Sequence, residues 1–272
     1  MRSVDRGGTT VTPGARAWLV AVVAMAVAGC ATRPPERIPY NAEARRDAVR
    51  IIILEPAPPV ALVVIPGASQ RLAAAAGGYG GILLLPLLLA AAADEAVKSK
   101  TFTQAAVDAG FDLPDTLAEA LATELELRGF RVTRHRMARA TAEPPYEPRW
   151  IGDYRPWSAS SDAVLDVQWL IVGFRARDPT LPYLPLANAS VRLVEPRSHV
   201  ILYRDTVSFG LGLDASTIGQ YGGDLPIGLV AEDKHRFDDF ASLVARRDEA
   251  FDALRGAARV LAARIAFDLA PP

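Results

Sequence analysis

A run of twelve uncharged residues lies near the amino terminus, behind a short basic stretch. Residues 18–29 read WLVAVVAMAVAG and follow a stretch with Arg2, Arg6 and Arg16 against one acid, Asp5. A basic stretch followed by about 7–15 apolar residues is typical of a secretory signal peptide, and such a run is too short to span a bilayer as a helix. The sequence therefore predicts a signal peptide over residues 1–29.

The apolar run ends at Cys30, the only cysteine of the chain, within the sequence Val-Ala-Gly-Cys at residues 27–30. This sequence resembles the lipobox of bacterial lipoproteins. In that family the cysteine thiol is diacylated, the chain is cut before it, and the new amino group is acylated. The resemblance implies that Cys30 is lipidated. Because Ala31 rather than Asp follows, it also implies export to the outer membrane, on its periplasmic face.

Residues 30–48 contain three prolines and no periodic pattern, so they are expected to tether the lipid to a periplasmic domain over residues 49–272. The whole chain has 30 Lys and Arg against 31 Asp and Glu, a balance that argues against a nucleic-acid binder. A single cysteine excludes a framework of disulfides. Composition thus indicates a folded domain attached to a membrane by its amino terminus.

The clearest structural pattern is an apolar stripe over residues 113–128. Asp112 precedes it as a helix cap and Gly129 follows it as a left-handed cap. The stripe consists of leucines spaced four residues apart, which places them on one helix face: Leu113, Leu117, Leu121 and Leu125. A second helical pattern, read as one or two helices, covers residues 237–269.

Strand patterns surround these helices. Apolar runs predict short strands at residues 49–54 and 61–65, and alternation predicts a long strand over residues 163–174 followed by a hairpin that ends near residue 209. The sum is an α+β fold with a mostly antiparallel sheet of about four to six strands and helices on one face. Four hairpin residues are expected to make the other face partly apolar: Ile201, Tyr203, Val207 and Phe209.

This order of elements resembles the αβ domain of the curli secretion-channel lipoprotein and of the activator lipoproteins of penicillin-binding proteins. The resemblance covers roughly residues 49–269 and rests on element order alone. It implies a small periplasmic αβ domain, and neither channel formation nor synthase activation is carried over from it residue by residue.

An apolar insertion over residues 72–93 does not belong to that pattern, since it holds no charge in 22 residues. Pro86 interrupts its most apolar part, and alanine and glycine fill the rest. Three interpretations remain open: packing on the domain or a partner, partial insertion into lipid, or a membrane span. The candidate membrane contacts are Ile82, Leu83, Leu84, Leu85, Leu87, Leu88 and Leu89.

A second unusual segment is the proline-rich loop over residues 138–161. Long loops without periodicity are frequently functional, and aromatic side chains are enriched in protein interfaces. The loop therefore provides a candidate partner surface. The alternative is that its aromatic residues only cover the core. Its aromatic residues are Tyr146, Trp150, Tyr154 and Trp157.

Catalytic and metal-binding patterns are not found in the sequence. His135, His199 and His235 lack the spacing of a metal site, and adjacent acids lie beside arginines, as surface ion pairs do. We therefore expect no metal and no cofactor. The leading hypothesis is a non-catalytic, lipid-anchored protein that binds an envelope protein or a second copy of itself. The alternatives are an oligomeric, membrane-associated or pore-related lipoprotein that uses residues 72–93, and, more remotely, an envelope hydrolase.

Overall fold

Six strands form one mixed sheet in the order β3-β1-β4-β5-β6, with β2 paired to β4 further along that strand. The strands are β1 (Arg50–Leu54), β2 (Val63–Ile65), β3 (Arg131–His135), β4 (Ala163–Ala176), β5 (Tyr183–Val194) and β6 (Ile201–Phe209). The two long ladders, β4–β5 and β5–β6, are antiparallel, and the three short ladders are parallel. Most paired residues are thus antiparallel, as the sequence predicts.

The computed structural model describes residues 37–41, 49–68, 81–141, 148–176, 178–210 and 235–270. The predicted signal peptide, Cys30 and Tyr146 lie outside these residues, as do residues 72–80 of the apolar insertion. The glycine-rich stretch over residues 210–228, whose composition predicts a loop, also lies outside them except for Gly210.

The helices lie on one face of the sheet, and their buried side chains form the main core with it. They are α1 (Gly81–Asp108), α2 (Leu113–Glu126), α3 (Phe240–Ala245) and α4 (Arg247–Leu269). At the start of α2 the Asp112 carboxylate accepts a hydrogen bond from the Asp115 amide at 2.9 Å, and Gly129 beyond its end has φ +88°. These are the caps that the sequence predicts, and the α+β fold is confirmed.

The leucine stripe of α2 makes a direct test of this core. Leu121 is fully buried, whereas Leu127, at the end of the same helix, is 75% exposed. Leu121→Ala should lower the free energy of unfolding by about 2–5 kcal/mol because it removes buried methyl groups and leaves a cavity. Leu127→Ala is the matched control and should change it by less than about 0.5 kcal/mol. Urea unfolding measures both; equal midpoints would show that the stripe is not in the core.

The prediction for the hairpin face is wrong. Tyr203, Val207 and Phe209 point into the main core under the helices, and only Ile201 is partly exposed. The Tyr203 hydroxyl donates a hydrogen bond to Asp268 on α4 at 3.1 Å. Alternation along a strand fixes which residues share a face, but it does not decide which face the helices cover.

Helix α1 continues 15 residues beyond the predicted end of the apolar insertion at residue 93 and joins the core there. Phe102 is buried and packs edge-on against Phe174 of β4, with 5.5 Å between ring centroids. The backbone amides of Val64 and Leu62 each donate a 2.9 Å hydrogen bond to a hydroxyl of α1, on Ser99 and Thr103 respectively. The carboxyl-terminal half of α1 is therefore fixed to β2.

Candidate functional site

The sheet face opposite the helices carries a buried polar row. Along β4, Asp166 and Gln168 alternate with residues of the main core, and Asp166 is 0% exposed. Polar residues that alternate with apolar ones along a strand commonly face solvent. In the structure the chain between β3 and β4 folds over them, and its Tyr154 packs against a small second core that includes Ile52 and Leu54 of β1.

Asp166 is the centre of a buried network. It accepts hydrogen bonds from the Arg139 guanidinium and the Tyr154 hydroxyl. Arg192 of β5 donates from Nε to the Tyr154 oxygen at 2.9 Å and from Nη2 to the Ile151 carbonyl at 2.9 Å. We call Asp166, Arg139, Tyr154 and Arg192 the Asp166 clamp, because together they bind the loop to the sheet.

Charge and burial explain why the clamp is stable. Burial and the adjacent Asp166 carboxylate raise the pKa of the Tyr154 hydroxyl, so Tyr154 stays protonated and donates. The Arg139 side chain is almost fully buried, and its charge is matched by Asp166. A buried charge with a hydrogen-bonded partner is tolerated, whereas one left alone is not. The Asp166 clamp therefore holds the loop in a fixed position on the sheet.

The position of the aromatic loop changes the prediction for a partner surface. Tyr154 is buried, so its ring is part of the Asp166 clamp and not of an exposed surface. Trp150 and Trp157 are half-buried and remain partly accessible. The alternative that the loop covers the core thus holds for Tyr154.

Two histidines lie beside these aromatic rings. The His135 ring meets Trp157 edge-on with 5.6 Å between centroids, and the His199 ring meets Tyr154 with 6.1 Å. Nε2 of His199 lies 3.3 Å from the Asp153 carboxylate. We name Trp150, Trp157, His135 and His199 the aromatic rim. Its two tryptophans belong to the predicted partner surface, and the two histidines are added to it by the structure.

A second ion-pair cluster lies where β1 and β3 end beside the start of α2. Nε of Arg136 donates to Glu55 at 2.5 Å and Nη2 of Arg134 donates to it at 2.7 Å, while Arg134 also pairs with Asp115. Burial alone would raise the pKa of the Glu55 carboxyl, but the hydrogen bonds from the two arginines outweigh it and hold the pKa below its usual value. This cluster ties α2 to the sheet.

The predicted acid pairs are distributed as surface ion pairs and caps. Asp94 pairs with Lys98 at 2.6 Å, and Glu124 with Arg128 at 2.6 Å. Asp239 caps α3. In the described ranges no group of three or more His, Cys, Asp or Glu side chains is arranged to hold a metal ion. A groove between α2 and α4 contains Thr116, Glu119, Ala120, Thr123, Glu124, Arg255 and Arg259.

The apolar amino-terminal half of α1, residues 81–93, is the second candidate site. Leu87 and Leu89 are 54% and 63% exposed. The side chains of the other candidate membrane contacts, Ile82, Leu83, Leu84, Leu85 and Leu88, lie outside the described residues. Within the part of the chain that the structure describes, none of the helices combines the length and the apolar content needed to cross a membrane.

Comparison with known proteins adds little. No family model and no curated protein matches the chain. One similar solved structure is the hypothetical protein CT253 from Chlamydia trachomatis, with 14% identity over 54% of this chain and 85% of that chain and a TM-score of 0.27. Another is a homolog of neuraminyllactose-binding hemagglutinin from Helicobacter pylori, with 12% identity over 82% and 87% and a TM-score of 0.27. Similarity at this level supports no inference about function.

Proposed function

We propose that the protein is a bacterial lipoprotein, held at the periplasmic face of the outer membrane by lipid on Cys30. Its domain binds a protein partner in envelope assembly or transport and catalyses no reaction. The observation that carries the proposal is the position of Cys30, the only cysteine, directly after Val-Ala-Gly at the end of an apolar run. A thiol at that position is the acyl acceptor that the lipobox resemblance implies.

The start of the folded domain is consistent with close attachment to a membrane. Ile38 pairs with β6 through two backbone hydrogen bonds with Arg204, of 2.9 and 2.8 Å. Arg37 forms an ion pair with Asp205 at 3.2 Å. If lipid is attached at Cys30, the tether proposed for residues 30–48 would end by Ile38, where the chain is bound to β6. Eight residues of extended chain span at most about 26–29 Å, which keeps the domain near the lipid.

The aromatic rim is the surface that we propose for the partner. Aromatic side chains bury a large area at a low cost in conformational entropy, and they dominate the binding energy of many interfaces. The Asp166 clamp holds the loop that carries Trp150 and Trp157, so the surface is organised before the partner arrives. Binding to a pre-organised surface loses less entropy than binding to a flexible one.

Site-specific cross-linking in whole cells tests this surface. A photo-reactive amino acid at Trp157 should give the same envelope protein, identified by mass spectrometry, in repeated experiments. The same amino acid at Leu127, an exposed position on α2, is the control and should not capture it. His135→Ala, at the neighbouring rim position, should weaken the capture at position 157. Equal capture at both positions, or none at position 157, would contradict the proposed surface.

The exposure of Leu87 and Leu89 favours the second candidate function, an oligomeric membrane-associated lipoprotein. Because these two leucines lie on nearly opposite sides of α1, each would pack against a different neighbouring copy. Replacing both by Gln leaves the buried half of α1 unchanged. If self-association is the function, the double variant should dissociate on sizing in detergent while the wild type stays oligomeric. A monomeric wild type would exclude this candidate.

A further inference from the structure

The direction of α1 relative to β2 decides where its apolar half lies. Ser99 is bound to Val64, and Thr103, one turn later, is bound to Leu62. Helix α1 therefore runs antiparallel to β2, so its residues before Ser99 lie towards and beyond the end of β2 at Ile65. Pro86 lies 13 residues before Ser99, or about 20 Å along a helix axis. The amino-terminal half of α1 thus extends beyond β2.

Exposure around this half is not confined to one side. Pro86, Leu87, Leu89 and Ala90 are all exposed. Successive residues of an α-helix are about 100° apart, so Leu87 and Leu89 lie on nearly opposite sides. Both cannot face the protein's own domain, and their exposure shows that neither does. A helix that is apolar on all sides is typical of an apolar environment on all sides.

The polar boundary of this half is sharp. Residues 81–93 contain no charge, and the next seven residues read Asp-Glu-Ala-Val-Lys-Ser-Lys. Lys98 pairs with Asp94 at 2.6 Å, which keeps charged groups at the junction. Thirteen residues of helix are about 20 Å long, shorter than the roughly 30 Å hydrocarbon core of a bilayer. An apolar segment of that length ending in charges fits one leaflet and the headgroups at its border.

We infer that residues 81–93 of α1 insert into the lipid leaflet that holds the acyl chains on Cys30. This inference rests on the proposed lipid anchor, because the tether brings the leaflet within about 26–29 Å of Ile38. Once the anchor is in place, the helix meets lipid at a high effective concentration. Contact between two copies would need one apolar stripe, whereas lipid matches a helix that is apolar all round. The second contact would fix the orientation of the domain on the membrane.

A cysteine label tests this inference in the full lipidated protein. Acylated Cys30 has no free thiol, so Leu89→Cys provides the one reactive site for an environment-sensitive fluorophore. Val107→Cys is the matched control, since it lies in the other half of the same helix and is also exposed. Both proteins are reconstituted in phosphatidylethanolamine–phosphatidylglycerol vesicles that contain lipid brominated in the acyl chain. The label at position 89 should be quenched several-fold more strongly by the brominated lipid than the label at position 107. Iodide, a quencher dissolved in the water, should quench the label at position 107 more strongly than the label at position 89.

The other outcomes overturn the inference in distinguishable ways. Equal iodide quenching at positions 89 and 107 would place the helix in water, while the anchor proposal stands. A label at position 89 that is shielded from bromine and iodide only at high protein-to-lipid ratios would assign the surface to a second copy. The mass of the same preparation reports acylation of Cys30. If Cys30 carries no lipid, the proposed function and this inference both fail.

Discussion

Cys30→Ala should abolish acylation completely and leave uncleaved precursor in the inner membrane. The thiol is the acceptor for the diacylglyceryl group, and in lipoproteins the cut before the cysteine follows that step. Each buried methylene of an acyl chain contributes about 0.8 kcal/mol, so three chains make a firm anchor and their loss is not a graded effect. Metabolic labelling with radioactive palmitate, followed by gel electrophoresis, measures the change directly.

The control for this experiment is Leu89→Gln, which alters the exposed half of α1 and leaves Cys30 in place. It should take up palmitate as the wild type does. Wild-type protein that takes up no label would contradict the lipoprotein proposal, as would a Cys30→Ala protein that is labelled as strongly as the wild type.

Asp166→Ala should have the largest effect on folding of any single substitution in the buried polar row. It removes the carboxylate from Arg139, whose side chain is 2% exposed, and it removes the acceptor of the Tyr154 hydroxyl. Removing one partner of a buried ion pair leaves an uncompensated charge and costs about 3–5 kcal/mol in the free energy of unfolding. Urea unfolding followed by circular dichroism measures this. In a Trp169→Phe background, the fluorescence of Trp150 and Trp157 reports release of the loop.

A matched control separates burial from charge. Asp153 pairs with Arg155 at 2.8 Å, in the same loop, with both side chains well exposed. Asp153→Ala should leave the unfolding midpoint unchanged, because exposed ion pairs contribute little. Replacing both Asp166 and Arg139 by apolar residues of similar volume should recover much of the lost stability. An Asp166→Ala midpoint equal to that of Asp153→Ala would show that the clamp is not buried in solution.

The elements that the sequence predicted correctly are those with a strong local pattern. The leucines of α2 repeat every four residues, and Asp112 and Gly129 mark its ends, so the helix could be placed without tertiary information. Alternation likewise identified the long strand β4 and the hairpin formed by β5 and β6. In each case residues close in the chain determine the structure.

The parts that the sequence did not reveal depend on residues distant in the chain. On a sheet with one face in the core, a polar residue that alternates with apolar ones commonly faces solvent. Asp166 alternates in this way. It is buried because Arg139, 27 residues earlier, supplies the matching charge. The parallel pairing of β1 with both β3 and β4 joins segments separated by more than 75 residues. No periodicity encodes such contacts.

The length of helix α1 was also not evident from the sequence. Its two halves have opposite chemistry, since residues 81–93 are apolar and the following turns carry Asp94, Glu95, Lys98 and Lys100. The change in composition suggested an insertion that ends at residue 93, whereas the backbone continues as one helix to Asp108. The signal for the second half was Phe102 and Ala106, four residues apart, which both lie in the core.

The intact mass of the protein purified from membranes tests the lipid anchor most directly. The proposal predicts a chain that begins at Cys30, with its mass increased by a diacylglyceryl group and a third acyl chain on the amino terminus. Digestion should place all three acyl chains on the peptide that begins with Cys30. A mature chain that begins elsewhere, or one that begins at Cys30 with an unmodified thiol, would contradict the account.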